Sequence, residues 1–407
     1  MSVLSGKRII LGVTGSIAAY KAADLASKLT QAGAQVDVIL TGAAEKFITP
    51  LTFQSVTGRR AFIDADLWGN EAHVLHVGLG HSVDLLIVAP CTANTLSKLA
   101  HGSADSLLTV TALAANCPLL IAPAMDGGMF DHPATQENLD TLKKRGAVII
   151  GPAEGHLASG LSGTGRMTEP MEILGYARLT LGQNGPLANK KVVVTAGGTQ
   201  EPLDPVRVIT NRSSGKQGYA LAQAALDAGA QVALITTPTA LTPPVGARMI
   251  DVETAKQMLD CVLIESADSD ALIMTAAVAD FRPKNQAKDK IKKEAGVPQI
   301  ELEATEDILK TVSSQRLVAK QNRKHPRAIV GFAAESRDLL ENASAKLKSK
   351  GLDFIAANDI SAEDAGFAVE TNRVTLLFAD GRKESLPLMS KNEVAETLIE
   401  RLAALLE

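Results

Sequence analysis

The phrase AGAQVDVILT (32–41) returns as AGAQVALITT (228–237), and this near-repeat constrains the fold more than any other feature of the chain. Each copy stands where an Ala/Leu-rich amphipathic stretch hands over to an apolar run, so each marks a first helix turning into a second strand. Ahead of the first copy, RIILGV (8–13) leads into an amphipathic segment over 18–32. Ahead of the second, KVVVT (191–195) closes on a Gly-rich turn and is followed by a helix near 216–228. Further apolar runs at 85–89, 118–122 and 147–151, and then at 271–275 and 328–332, continue the rhythm in each half. Short buried strands alternating with helices predict parallel sheets covered on both faces. The expected fold class is therefore α/β, with two doubly wound, Rossmann-like domains. Shared fold logic accounts for the repeated phrase as readily as duplication does.

A chain of 407 residues suits two or three domains, at roughly 150 residues for each. Between the halves, GQNGPLANKK (182–191) has the Gly, Asn and Pro content of an exposed linker. This places the boundary at Asn189, giving domains 1–189 and 190–407. Lys and Arg number 41 against 45 Asp and Glu, so there is no blanket attraction to nucleic acid or to an anionic membrane, and any phosphate must be bound locally. Cys91, Cys117 and Cys261 have no CxxC spacing, which argues against a disulfide framework or a structural zinc site and for a reducing compartment. No signal-peptide pattern and no unbroken apolar run of about 18 residues is present, so the expectation is a soluble cytoplasmic protein.

The first apolar run ends in GVTGSIAAYK (12–21). Small residues there let backbone amides approach an anion, and the helix that follows presents unpaired N–H groups and its positive dipole end. A Gly-Ser step at such a place is also often only a tight turn. Thr41 and APCTANT (89–95) put further small polar groups at the carboxyl ends of strands, where open α/β sheets bind ligands. There is no GxGxxG, and Thr41 stands where a dinucleotide site would place an acidic ribose-binding residue. A mononucleotide such as FMN suits the pattern better.

In order and spacing, GSIAAYK, FITPLTFQSVTG (47–58), HVGLG (76–80), APCTANT and PAMDGGM (123–129) resemble the flavin-dependent cysteine decarboxylases across essentially the whole first half. The resemblance implies a flavodoxin-like flavoprotein domain with FMN held by Gly15, Ser16, Ile17, Thr41, Thr92, Ala93, Asn94 and Thr95. It places the catalytic histidine at His76, which read alone would be a packing residue; the neighbouring His73 reads as surface. The chemistry implied is oxidation of a cysteinyl thiol by flavin, loss of carbon dioxide, and return of the hydride with a proton.

Two positions depart from the family pattern. Asp126 replaces a substrate-binding asparagine, and Ser159 replaces a proton-donating cysteine in GHLASGLSGTGRM (155–167). An ionised Asp126 would repel a substrate carboxylate, so it must be protonated, differently directed, or bound to something else. A serine hydroxyl is a far weaker acid than a thiol. Three readings follow: a working variant in which Ser159 relays a proton, a decarboxylase that stops at the enethiol, and a non-catalytic or regulatory flavin domain. His156, three residues before Ser159, is a candidate proton source, or else an exposed loop histidine.

In the second half, KVVVTAGGTQEPLDPVRVITNRSSGKQG (191–218) joins a Gly-Gly-Thr loop to a Ser-Ser-Gly-Lys helix start. Two anion sites are implied if the loops are not purely structural, and the pattern is not a Walker A loop. TAGGTQEPLDPVR, NRSSGKQG, TAAVADF (275–281), KIKK (290–293), GFAAE (331–335) and AANDI (356–360) resemble phosphopantothenate-cysteine ligase over the entire half. That resemblance implies a first step in which CTP activates 4'-phosphopantothenate as an acyl-cytidylate with release of pyrophosphate, and a second in which L-cysteine displaces CMP. Decarboxylation of the product in the first half would complete two consecutive steps of coenzyme A biosynthesis.

By motif, Asn211 falls at the intermediate and Lys290 is the essential lysine of KIKK, a cluster that unplaced would read as a solvated basic loop. Asp280, Phe332, Lys346 and Lys350 fall at nucleotide-binding positions. ATEDIL (304–309) lacks the proline common before its aspartate. Mg2+ is expected with the triphosphate, with no metal ligand set legible in the sequence. The resemblance further implies a homo-oligomer, with trimeric flavin domains and dimeric ligase domains combining into a dodecamer.

Overall fold

The computed structural model describes residues 2–68, 74–157, 160, 162–293, 298–319, 326–335, 337–359 and 369–407. The chain forms two compact units, Met1–Leu181 and Gly182–Glu407. His73, Ser159 and Ile360 lie outside the described residues.

In the first unit, β1 (Arg8–Val13) runs into α1 (Ala19–Gln31), whose Ala19, Ala22, Leu25, Ala26 and Leu29 form one buried face at helical spacing. There follow β2 (Gln35–Leu40), α2 (Pro50–Thr57), β3 (Ala61–Ile63), α3 (Leu75–His81) and β4 (Leu85–Cys91). The unit continues through α4 (Ala93–His101), α5 (Leu107–Ala114), β5 (Leu119–Pro123), α6 (Gly127–Phe130), α7 (Pro133–Lys144) and β6 (Val148–Ile149). The strands form one parallel sheet in the order β3-β2-β1-β4-β5-β6.

With the short edge strand β3 set aside, this is the 2-1-3-4-5 order of flavodoxin-like folds, with its switch point between β1 and β4. Strand β1 alternates between two cores: Ile9, Leu11 and Val13 pack with Leu25 and Phe53, and Ile10 packs with Leu86 and Leu108 on the other face. Burial on both faces is why the strands read as unbroken apolar runs. A hairpin of β7 (Ala153–His156) and β8 (Ser162–Arg166) and the helix α8 (Pro170–Gly182) complete the unit.

The second unit opens with residues 182–190 laid against its own surface. Leu187 is fully buried and its N–H donates to the Ala228 carbonyl at 2.8 Å. Its elements are β9 (Lys191–Ala196), β10 (Gln200–Pro202), β11 (Val208–Thr210), α9 (Lys216–Asp227), β12 (Gln231–Thr236), β13 (Arg248–Asp251), α10 (Ala255–Ser266) and β14 (Ala271–Met274). These continue with β15 (Phe281–Pro283), β16 (Leu302–Ala304), α11 (Ile308–Ala319), β17 (Ala328–Glu335), α12 (Leu339–Ser349) and β18 (Phe354–Asp359). The chain closes with β19 (Thr371–Asn372), β20 (Val374–Phe378), β21 (Lys383–Ser385), β22 (Met389–Ser390) and α13 (Lys391–Leu406).

The main sheet has the order β13-β12-β9-β14-β17-β18-β20-β21. It is parallel from β13 to β18 and antiparallel in its last two pairings. The repeated phrases form β2 and β12, each beside the first sheet strand of its unit. No described helix is long and apolar enough to cross a membrane.

Candidate functional site

In the first unit the sheet's switch point is tied together by one buried hydroxyl. Thr14 Oγ1 donates to the Pro90 carbonyl at 2.7 Å and accepts the Thr92 N–H at 3.0 Å, joining the ends of β1 and β4. The turn after β1 has no room for a side chain at Gly15, where a Cβ would lie 2.4 Å from that of Ala43. Ser16 Oγ accepts the Ala18 N–H at 3.3 Å, and the Thr41 N–H donates to the Val13 carbonyl at 3.0 Å. Thr92 caps α4, its hydroxyl accepting the Thr95 N–H at 3.4 Å.

Gly15, Ser16, Ile17, Thr41 and Thr92–Thr95 are thus gathered at the carboxyl ends of the adjacent strands β2, β1 and β4. Short side chains, hydroxyls and a helix start there suit the phosphate and ring edge of a flavin mononucleotide. The side-chain-free cradle at Gly15 is the local feature that fits such a group.

A cavity of about 520 Å³ opens beside this turn, lined by Ser16, Ile17, Lys21, Asp126, His156 and Arg166 among others. The β7–β8 hairpin forms one wall, held where the Met125 N–H donates to the Gly165 carbonyl at 3.0 Å. Lys21 pairs with Glu169 at 2.6 Å, and Arg166 reaches the same carboxylate at 3.4 Å. Asp126 caps α6 by accepting the Gly128 N–H at 3.0 Å. Of the alternatives open to this residue, a differently directed carboxylate is the one its capping geometry matches.

His76 sits half-buried on α3 and does not line the cavity. Neither does any cysteine: Cys91 is fully buried, and burial first of all pushes the thiols of Cys91, Cys117 and Cys261 up from their ordinary values. Lys21 and Arg166 lie inside GSIAAYK and GHLASGLSGTGRM, where nothing in the sequence alone marks either as a site residue.

In the second unit a cavity of about 500 Å³ lies at the carboxyl ends of β9, β14, β17 and β18. Asp280, Phe332, Lys346 and Lys350, widely separated in sequence, all line it. Lys350 pairs with Asp307 at 3.2 Å, so the segment without the common proline still forms part of the wall. Asn211 stands beside the cavity and steadies it, its Nδ2 donating to the carbonyls of Ala277 at 3.2 Å and Val278 at 3.3 Å.

Lys290 is exposed and does not line the cavity. Its strap is anchored by the next residue, whose N–H donates to Asp204 Oδ2 at 3.1 Å. Asp204 also accepts the N–H groups of Val206 and Arg207 at 2.8 Å each. Burial alone would raise this carboxyl, but the N–H groups of Val206, Ile291 and Arg207 and the Arg207 charge together hold it below its ordinary value. Its stabilising effect is therefore present above the unfolded pKa and lost as pH falls through the depressed folded one. The gap in melting temperature between the native protein and Asp204→Asn should be widest at neutral pH and close as the pH drops below about 4. A gap independent of pH across a calorimetric series would contradict this role.

Lys216, Asn358, Asn372 and Lys391 also line this cavity. Lys216 and Asn358 fall inside quoted motifs, whereas nothing in the sequence marks Asn372 or Lys391. Among the described residues, no cluster of three or more His, Cys, Asp or Glu side chains is arranged to hold a metal ion.

Known families cover both units. The family described as "Flavoprotein" matches residues 2–180, and that described as "DNA/pantothenate metabolism flavoprotein C-terminal domain" matches 187–406. The coenzyme A biosynthesis bifunctional protein CoaBC of Bacillus subtilis (strain 168) is 45% identical over 406 residues, covering 99% of this chain and 98% of that protein. The protein of the same name from Vibrio vulnificus (strain CMCP6) is 42% identical over 408 residues, covering 100% of both chains. A crystal structure of the C-terminal domain of a CoaBC protein is 39% identical, covers 55% of this chain and 98% of that one, and superposes with a TM-score of 0.45.

Proposed function

Because this chain belongs to the family of bifunctional coenzyme A biosynthesis proteins, we propose that its second unit joins L-cysteine to 4'-phosphopantothenate with CTP and its first decarboxylates the product with FMN. It is an enzyme of coenzyme A biosynthesis with ligase and decarboxylase activities.

The observation that carries the ligase assignment is the convergence of Asp280, Phe332, Lys346 and Lys350 on one cavity. A carboxylate resists attack by an amine until its oxygen becomes a good leaving group. Lysine cations beside the triphosphate balance the charge that develops as the acyl phosphate forms. Asn211, bonded to the 277–278 backbone, sets the edge of the cavity where the acyl-cytidylate would lie. Lys290 would reach in from its anchored strap, and Mg2+ would accompany the triphosphate as part of the substrate.

In the first unit, flavin supplies acceptance and return of a hydride. Lys21 and Arg166, both paired with Glu169, are cations in the cavity's lining that an anionic substrate would meet. Asp126 orders α6 through its cap. Among the described residues that line the cavity there is no thiol, and His156 supplies an imidazole there that can give the closing proton. Alanine at position 156 should slow formation of saturated product by about a hundredfold, with the enethiol accumulating in product analysis by mass spectrometry. An unchanged yield of saturated product would remove His156 from the mechanism.

His76 is not part of the lining of this cavity, and Ile17, Tyr20, Val74 and Met129 are exposed apolar side chains of the same unit. Both facts suit a homo-oligomer in which a neighbouring copy completes the site. The assignment as a whole is tested by purifying the protein, recording a flavin spectrum and following pyrophosphate with CTP, phosphopantothenate and cysteine. A colourless protein that releases no pyrophosphate would overturn it.

A further inference from the structure

The Gly-Gly-Thr loop after β9 has two readings on its sequence, an anion site or a purely structural turn. Of its three residues, Gly197 lines the second unit's cavity, and Thr199 is fully buried behind that lining. The Thr199 N–H donates to the Ala277 carbonyl at 3.2 Å, and the Thr199 hydroxyl accepts the Ala279 N–H at 2.9 Å. A parallel bridge between Gly198 and Ala277 sets the two segments side by side. The threonine is therefore spent on the loop that runs from Thr275 to Asp280.

Thr305, half-buried, holds the same loop from its far end. Its hydroxyl donates to the Ala279 carbonyl at 2.5 Å, and its N–H donates to the Asp280 carbonyl at 2.9 Å. The Ala279 carbonyl belongs to the rigid peptide plane ahead of the Asp280 Cα, and the Asp280 carbonyl to the plane behind it. Thr305 thus pins both, and with them the two backbone torsions of Asp280. One plane earlier, the Val278 carbonyl is held by Asn211 and the Ala279 N–H by Thr199. Three consecutive planes leading to Asp280 are fixed.

Asp280 itself is exposed in the cavity, and among the described residues no hydrogen bond or ion pair holds its carboxylate. The direction of this acceptor is therefore left to the backbone. Ala279 is 5% exposed and Thr199 fully buried, so loss of the Thr199 hydroxyl would leave the Ala279 N–H shut away without a partner. A buried donor stripped of its acceptor is costly, and a shift of the loop to find another would carry Asp280 with it.

We propose that Thr199 is a positioning residue for the nucleotide: with Thr305 it fixes the backbone of Asp280, and it acts through that carboxylate without touching the ligand. The Gly-Gly-Thr loop then serves nucleotide recognition although its hydroxyl meets no phosphate. The proposal rests on the ligase assignment and deepens it by naming what aims one of its nucleotide-binding side chains.

Thr199→Val keeps the shape and removes the hydroxyl. It should weaken CTP binding, followed by titration calorimetry with Mg2+, about tenfold or more and raise the KM for CTP by the same factor. The kcat for pyrophosphate release and the KM for cysteine should stay within about twofold of native. Thr199→Ser, which retains the acceptor, should bind CTP within about threefold of native. The sharpest comparison is a cycle with Asp280→Ala: once the carboxylate is gone, adding Thr199→Val should weaken CTP binding by no more than about twofold, even if it still lowers the melting temperature.

An undiminished loss in the Asp280→Ala background would make Thr199 a general structural contact and overturn the proposal. So would unchanged CTP affinity in Thr199→Val, or an equal loss in Thr199→Ser. Should Thr199→Val not fold, Thr305→Val removes the other hydroxyl at a half-buried position, and the same cycle with Asp280→Ala decides. A native protein that binds CTP but releases no pyrophosphate would fail the ligase assignment alone, whereas one that binds no CTP would overturn both.

Discussion

Gly197→Val should lower CTP-dependent pyrophosphate release by about a hundredfold or more, while decarboxylation of supplied phosphopantothenoylcysteine stays within about twofold of the native rate. Gly197 follows β9 with φ +87, a backbone conformation that side chains rarely adopt. A Cβ there would lie 2.0 Å from the hydroxyl oxygen of Thr237. Relief of that clash must move the turn. Its carbonyl accepts the Ala277 N–H at 2.8 Å, and the Ala277 carbonyl in turn receives Asn211 Nδ2. A displacement at Gly197 therefore travels straight to the loop that steadies the cavity. Separate assays of the two half-reactions check this, and a parallel loss in both would show that the substitution had merely unfolded the chain.

Gly15→Val is the mirror image. Its Cβ would meet the Ala43 Cβ at 2.4 Å and the Ala43 carbonyl carbon at 3.1 Å, forcing apart the turn after β1 and the segment after Thr41. Overpacking of this kind costs about 1–3 kcal/mol; where that strain falls on the flavin-bound turn, it corresponds to roughly a five- to hundredfold loss of flavin affinity at about 1.4 kcal/mol per decade. The variant should purify with little yellow colour and little carbon dioxide production, yet release pyrophosphate at the native rate. Retention of full flavin absorbance would show that the turn does not cradle the cofactor.

The parallel sheets were legible because their strands are buried on both faces. RIILGV and KVVVTA read as continuous apolar runs, and each is followed by an amphipathic helix. The β7–β8 hairpin was not, since AEGH and SGTGR carry no apolar alternation and pair only because the chain doubles back over the cavity. Asp280, Phe332, Lys346 and Lys350 were legible one motif at a time, and folding brought them to one place.

Asn372 and Lys391 carried no such mark. A lysine opening a long amphipathic helix looks solvated, and it is buried here only because α13 packs with its first turn against the chain preceding β19, where the Lys391 N–H meets the Glu370 carbonyl at 2.9 Å. Asp126 looked like an electrostatic conflict in isolation. An acidic residue ahead of a helical turn is also a favoured N-cap, and the capping geometry matches that role.

The central claim is that one chain both makes and decarboxylates phosphopantothenoylcysteine. The direct test supplies the purified protein with CTP, magnesium, 4'-phosphopantothenate and cysteine labelled in its carboxyl carbon, and follows pyrophosphate and labelled carbon dioxide together. The expected result is equal yields of the two products, with pyrophosphate appearing first and the label leaving as carbon dioxide after a lag. Pyrophosphate with the label retained in an undecarboxylated conjugate would contradict the claim, because the flavin unit would then not complete the second step.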